Sequence, residues 1–195
     1  MKRVLLLFIA LVMAGTVANA TDKNKKATTP AAKNEIEWIS FDEAEKRMQK
    51  EPRKVWIDVY TDWCGWCKVL DKKTFSHPEV IKYMNTKYYA IKFDAERLDS
   101  ISFGGKKWGF MPEYKANALA VQLMNGQMSY PTSIVMMENF QSPSPIPGYI
   151  AVPQIEGILK YLGEDTYKTT KFEDYNKTFT PTWKEILAPL APNAH

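Results

Sequence analysis

The chain has 195 residues, 45% of them hydrophobic and 25% charged, and a formal charge of +4. That length fits one domain with extensions, and the composition excludes a collagen-like, coiled-coil or wholly disordered chain. The slight basic excess is too small to point to nucleic acid, and no nucleic-acid partner is expected.

The first residues read as an export signal. Met1-Lys2-Arg3 is a short basic start, Val4 to Val17 is almost unbroken apolar sequence, and Ala18-Asn19-Ala20 has the small-x-small pattern of a signal-peptidase site. The run is shorter than the roughly 20 apolar residues of a transmembrane helix, and no cysteine follows it for lipid attachment. Residues 1–20 are therefore expected to be a cleaved leader. Residues 21–34 carry Lys23, Lys25, Lys26 and Lys33 with almost no large apolar group, so they read as a flexible linker. Residues 35–163 should form the folded domain and 164–195 a C-terminal extension packed on it. No later segment is long and apolar enough to span a bilayer.

Within the domain, Ser40-Phe41-Asp42-Glu43 has the spacing of a capping box and predicts a short helix ending near Pro52. Residues 54–60 predict a buried strand, followed by a helix from Cys64 to about Lys73. Ser76-His77-Pro78-Glu79 is a second capping box, opening a helix with Val80, Ile81 and Met84 on one side. Tyr88 to Phe93 predicts the next strand. Residues 95–115, with Gly104-Gly105, Gly109 and Pro112, read as an irregular insertion with room for one helical turn. Ala116 to Asn125 predicts a helix stopped by Gly126, Ser133 to Met137 a strand, and Ile146 to Ile150 a last strand. Pro153 then opens a helix through Leu162, ended by Gly163. This order predicts an α/β domain, a mixed sheet covered by helices on both faces, with an extra N-terminal helix. In the extension, Phe172, Tyr175 and Phe179 recur at helical spacing, as in an amphipathic element lying over the core.

Cys64 and Cys67 are the only cysteines. A bond between them would close too small a loop to restrain the unfolded chain, so a stabilising role is poor and a chemical one remains. They stand where a strand passes into a helix, whose free N–H groups and dipole favour a thiolate. A C-x-x-C is also half of many zinc sites, but a structural zinc wants four ligands and the chain adds only His77 and His195. His77 reads as a surface residue, and no metal site is expected.

These residues resemble the thioredoxin superfamily. More narrowly, Trp63-Cys64-Gly65-Trp66-Cys67-Lys68 is similar to the W-C-x-W-C-K motif of exported thioredoxin-like proteins, and the similarity covers roughly residues 36–163. The resemblance implies a thioredoxin-like fold and places Asp58, six residues ahead of Cys64, at the position of a buried acid that handles protons for the second cysteine. Burial should raise its pKa towards neutrality. Lys92 matches the lysine beside that acid, and the plainer reading is that the two form a salt bridge. Tyr130-Pro131-Thr132 matches the loop that carries a cis-proline facing the cysteines and pairs with an extended substrate chain. Gly148 falls where the family keeps a glycine near the same surface. The Gly65-Trp66 pair departs from both thioredoxins and isomerases. The insertion aromatics Phe103, Trp108 and Phe110 either narrow the substrate groove or dock a dedicated partner, or else pack under a loop.

The resemblance implies a mechanism that needs no cofactor beyond the Cys64–Cys67 disulfide. Cys64 is the nucleophile, Cys67 the more buried resolving thiol and Asp58 the proton acceptor. Trp63, Gly65, Trp66, Tyr130, Pro131 and Thr132 shape the substrate surface. The expected activity is reduction of protein disulfides by a monomer outside the cytoplasm, recharged by a membrane thiol-transfer protein. The alternatives are an oxidase or isomerase of the same fold, or a non-catalytic binding or metal-delivery module.

Overall fold

The computed structural model describes residues 34–185. The expected leader, nearly all of the expected linker, and His195 lie outside the described residues.

The first element is a two-residue strand, β1 (Trp38–Ile39), too short to carry a sequence signal. Helix α1 (Phe41–Met48) starts where expected, with Ser40 Oγ accepting the Glu43 N–H at 3.2 Å. Strand β2 (Lys54–Tyr60) leads into α2 (Gly65–Leu70), which continues as a π-helical turn, Asp71–Phe75. Helix α3 (Pro78–Lys87) is capped by His77 rather than Ser76: the imidazole Nδ1 accepts the Glu79 N–H at 3.2 Å. Ser76 is drawn back instead, its hydroxyl donating to the Lys72 carbonyl at 2.6 Å. Strand β3 (Tyr88–Asp94) follows.

The insertion is not irregular. It contains an antiparallel hairpin, β4 (Ile101–Phe103) with β5 (Lys106–Trp108), and a second pair, β6 (Phe110–Met111) with β7 (Ala116–Asn117). Gly104 and Gly105 both have positive φ, 63° and 69°, as a tight two-residue hairpin turn requires. Ile101 and Phe103 turn into the core while Ser102 between them faces out. Helix α4 (Ala118–Leu123) is shorter than its periodicity suggests, because Asn117 caps it by accepting the Leu119 N–H.

Strand β8 (Thr132–Met137) runs to a 3-10 turn, and β9 (Gln141–Pro147) returns beside it. This last strand begins before the expected position. Its Pro143, Pro145 and Pro147 disguise it, and they are tolerated because it lies at the sheet edge. Helix α5 (Val152–Gly163) includes Gly163, where any side chain would collide with the Tyr83 ring. Helix α6 (Phe172–Thr178) closes the order.

The sheet order is β1-β3-β2-β8-β9, with β1, β3 and β2 parallel and β8 and β9 antiparallel to their neighbours. Alternation sorts the side chains of β2 between two cores. Val55, Ile57 and Val59 meet α1, α4 and the insertion hairpin. Trp56 meets α2, α3 and α5. Asp58 has the parity of Trp56, so it lies on the face covered by the cysteine-bearing helix.

The extension joins that second core through Trp183. Phe172 and Tyr175 meet the Tyr161 ring of α5, edge-on and tilted, and Phe179 stacks on Tyr175. The firmest anchor is Glu156 of α5, whose carboxylate accepts the N–H groups of Thr182 and Trp183 at 2.8 and 2.7 Å and the Thr182 hydroxyl at 2.6 Å. No described helix is long and apolar enough to cross a membrane.

Candidate active site

Cys64 is the N-cap of α2. Its backbone is extended and its Sγ accepts the Cys67 N–H at 3.0 Å, so this sulfur sits where a helix start stabilises negative charge. The two cysteines are bonded to each other. Both are buried, at 3% and 2% exposure, so in the bonded form the expected difference in depth is slight.

Two aromatic ledges flank the disulfide. Trp63 is 67% exposed, meets Tyr130 edge-on at 5.8 Å and donates its indole N–H to Glu96 at 3.0 Å. Trp66 is 62% exposed and leans on Tyr149 at 5.7 Å. In the sequence, Tyr149 is marked only by its place beside Gly148. Gly65 is exposed, and a methyl group there would meet nothing.

The Tyr130–Pro131 peptide bond is cis, and the Gly148 N–H donates to the Pro131 carbonyl at 2.8 Å. Burial and the nearby charges of Glu96 and Asp94 push the Tyr130 phenol up to about 12. Thr132 does not join this surface. Its side chain is buried and its hydroxyl donates to the Ser129 carbonyl at 2.8 Å, so it ties the loop from beneath, which corrects the expected substrate contact.

Asp58 lies between Lys92 on β3 and Ser133 on β8 in the sheet register. It is fully buried. Burial pushes its pKa up to about 6, against the opposing pull of Lys92. Lys92 Nζ is 2.7 Å from Asp58 Oδ2, but its hydrogen-bond geometry favours Asp71 at the start of the π-helical turn. Among the described residues, neither Asp58 oxygen receives an aligned donor; Trp56 Nε1 and the Ser133 hydroxyl, on the same face, are also unpartnered. Sequence reasoning missed Asp71, because its partner Lys92 lies 21 residues away on β3.

His77 is buried rather than on the surface. Nδ1 caps α3, Nε2 donates to the Lys184 carbonyl at 2.9 Å, and the ring stacks on Trp183. Trp183 supplies the cover that sequence reasoning could not foresee. Both imidazole nitrogens are therefore used. Among the described residues no group of three or more His, Cys, Asp or Glu is placed to hold a metal ion.

Residues 21–163 match the Thioredox_DsbH family model, described as a protein of unknown function, DUF255. The chain is 34% identical over 88 residues to the thiol:disulfide interchange protein DsbD of Haemophilus ducreyi, and 28% identical over 71 residues to an uncharacterized protein of Caenorhabditis elegans. Those segments are 42% and 36% of this chain but only 15% and 10% of the two relatives. Among solved structures, one described as a DsbH oxidoreductase overlays with a TM-score of 0.49 at 13% identity, covering 74% of this chain and 96% of that one. Since the family model spans most of the sequence, the chain belongs to the Thioredox_DsbH family, within the thioredoxin superfamily.

Proposed function

We propose that the protein is a thiol–disulfide oxidoreductase that reduces protein disulfides through a Cys64–Cys67 dithiol/disulfide cycle. The observation that carries this reading is Cys64 Sγ at the N-cap of α2, accepting the Cys67 N–H. A thiolate there attacks a substrate disulfide, forming a Cys64–substrate disulfide and expelling one substrate thiolate. Cys67 then loses its proton to Asp58 and its thiolate attacks Cys64 Sγ. The protein disulfide forms, the second substrate thiolate leaves, and two electrons have passed to the substrate. Asp58 suits that step because an acid with a pKa of about 6 accepts a proton near neutral pH.

Trp63, Trp66, Tyr130 and Tyr149 offer an extended chain apolar ledges beside the sulfur. Among the described residues, the Tyr130 N–H and C=O have no partner, which supports main-chain pairing with substrate. The leader-like residues 1–20 support export to the periplasm. The similarity to part of an interchange protein supports recharging by a membrane thiol-transfer partner.

The reduction potential of the Cys64–Cys67 pair tests the direction. A value near the thioredoxin level of about −270 mV supports the reductase. A value near about −120 mV makes the protein a disulfide donor, and a pair that does not cycle defeats the enzyme reading. A Cys67→Ser variant should accumulate a mixed disulfide through Cys64.

A further inference from the structure

Lys92 has an unusual setting for a lysine. Its ammonium lies 5.2, 5.2 and 5.6 Å from the centres of the Trp38, Tyr60 and Phe75 rings and touches two carboxylates, Asp58 and Asp71. The rings hold the cation in place. The two acids differ in access: Asp58 is sealed, whereas the Asp71 side chain is 45% exposed. Asp71 stands where α2 passes into the π-helical turn; its N–H still bonds the Cys67 carbonyl, so it lies on the same face of the helix as Cys67, four residues on.

We propose that Asp71 is a positioning residue for the proton transfer at Cys67: it draws the Lys92 ammonium towards solvent and so keeps Asp58 basic enough to take the Cys67 proton. This rests on the proposed role of Asp58. An ammonium wholly committed to Asp58 would stabilise the carboxylate and make it a poor base. Shared between two anions, the same cation neutralises Asp58 only in part, and the Asp71 charge itself works against ionisation of Asp58. The charged groups facing Asp58 are Lys92 from β3 and Asp71 from the turn; Ser133 from β8 and the Trp56 and Tyr60 side chains of its own strand are neutral at pH 7.

The test is the pH dependence, from pH 4.5 to 8, of Cys67-driven resolution of a Cys64–glutathione mixed disulfide in the full chain. The wild type should show an acid limb near pH 6, where Asp58 loses its proton. Asp71→Asn should move that limb down by about one pH unit. The variant is then faster than wild type below the crossing point and about threefold slower above it, as a weaker base requires. Asp71→Glu, which restores the charge, should return the wild-type profile. An Asp71→Asn profile with the wild-type limb, or one depressed evenly at every pH, overturns the proposal and leaves the Asp58 role standing. A limb that survives in Asp58→Asn overturns the Asp58 role, and this proposal with it.

Discussion

Asp58 in β2 and Glu156 in α5 are both carboxylates with no exposed surface, and they have opposite surroundings. Burial raises the pKa of each, but Glu156 accepts from Lys160 Nζ at 2.6 Å, from the Thr182 hydroxyl and from two backbone N–H groups, and these donors hold it below the usual carboxylate value. Asp58 has one cation, poorly aligned and shared with Asp71, and rises to about 6. Depth alone therefore does not decide whether an interior acid is charged. A carboxylate with a full set of donors is a fixed structural ion, whereas one left short of donors can exchange a proton near neutrality.

The sharpest way to break this contrast is Glu156→Ala, which strands the Thr182 and Trp183 donors. It should cost about 3 kcal/mol in urea unfolding and shift Trp183 emission to the red. Unchanged stability would mean that the extension is not held by this acid. Next comes Asp58→Asn. The folded pKa of Asp58 is about 6 against an ordinary value of 3.8, so wild-type stability falls as pH rises through that window and the variant escapes the fall. At pH 7 the variant should be more stable by about 3 kcal/mol, with the gain gone near pH 4. Equal stability at pH 7 would argue that Lys92 offsets the burial fully. Glu156 has the reverse sign: its contribution is present above about pH 4.5 and is lost as pH falls through its lowered folded pKa.

A smaller effect is expected from coupling. Asp58 and Glu156 share no donor, so Asp58→Asn combined with Glu156→Gln should give the sum of the single effects to within about 0.5 kcal/mol; a larger discrepancy would show that the extension and the redox face communicate. Smallest of all, Gly65→Ala places a methyl group in open space and touches neither acid. Its unfolding free energy should stay within about 0.5 kcal/mol of wild type.

Asp58 is legible in the sequence because an acid inside an apolar strand breaks a local pattern, and the cysteine pair because it sits at a strand-to-helix junction. Glu156 is not legible there. Lys160 is its neighbour on the helix, but the Thr182 and Trp183 donors lie 26 and 27 residues away in sequence, and on a helix it looks like any solvent-facing glutamate. The same holds for His77, whose burial depends on Trp183 arriving from the extension, and for Asp71, whose partner Lys92 lies 21 residues away on another element. In the insertion, glycines that read as irregularity are the turn of a hairpin. Local rules find the elements with local causes and miss contacts made by distant residues.

Pro145 and Pro147 occupy alternate paired positions of the outermost strand, and Pro143 stands at its bulge. Alternate residues of a strand direct their amides to the same side, and the intervening amides are those available to β8. The opposite margin of the sheet therefore lacks hydrogen there and offers only carbonyl oxygens. A neighbouring chain seeking to extend the sheet finds acceptors with no donors between them, while β1 at the far margin is two residues long. Both flanks are therefore dead ends for sheet extension, and the β-type pairing proposed for a substrate chain is left to Tyr130, beside the cysteines.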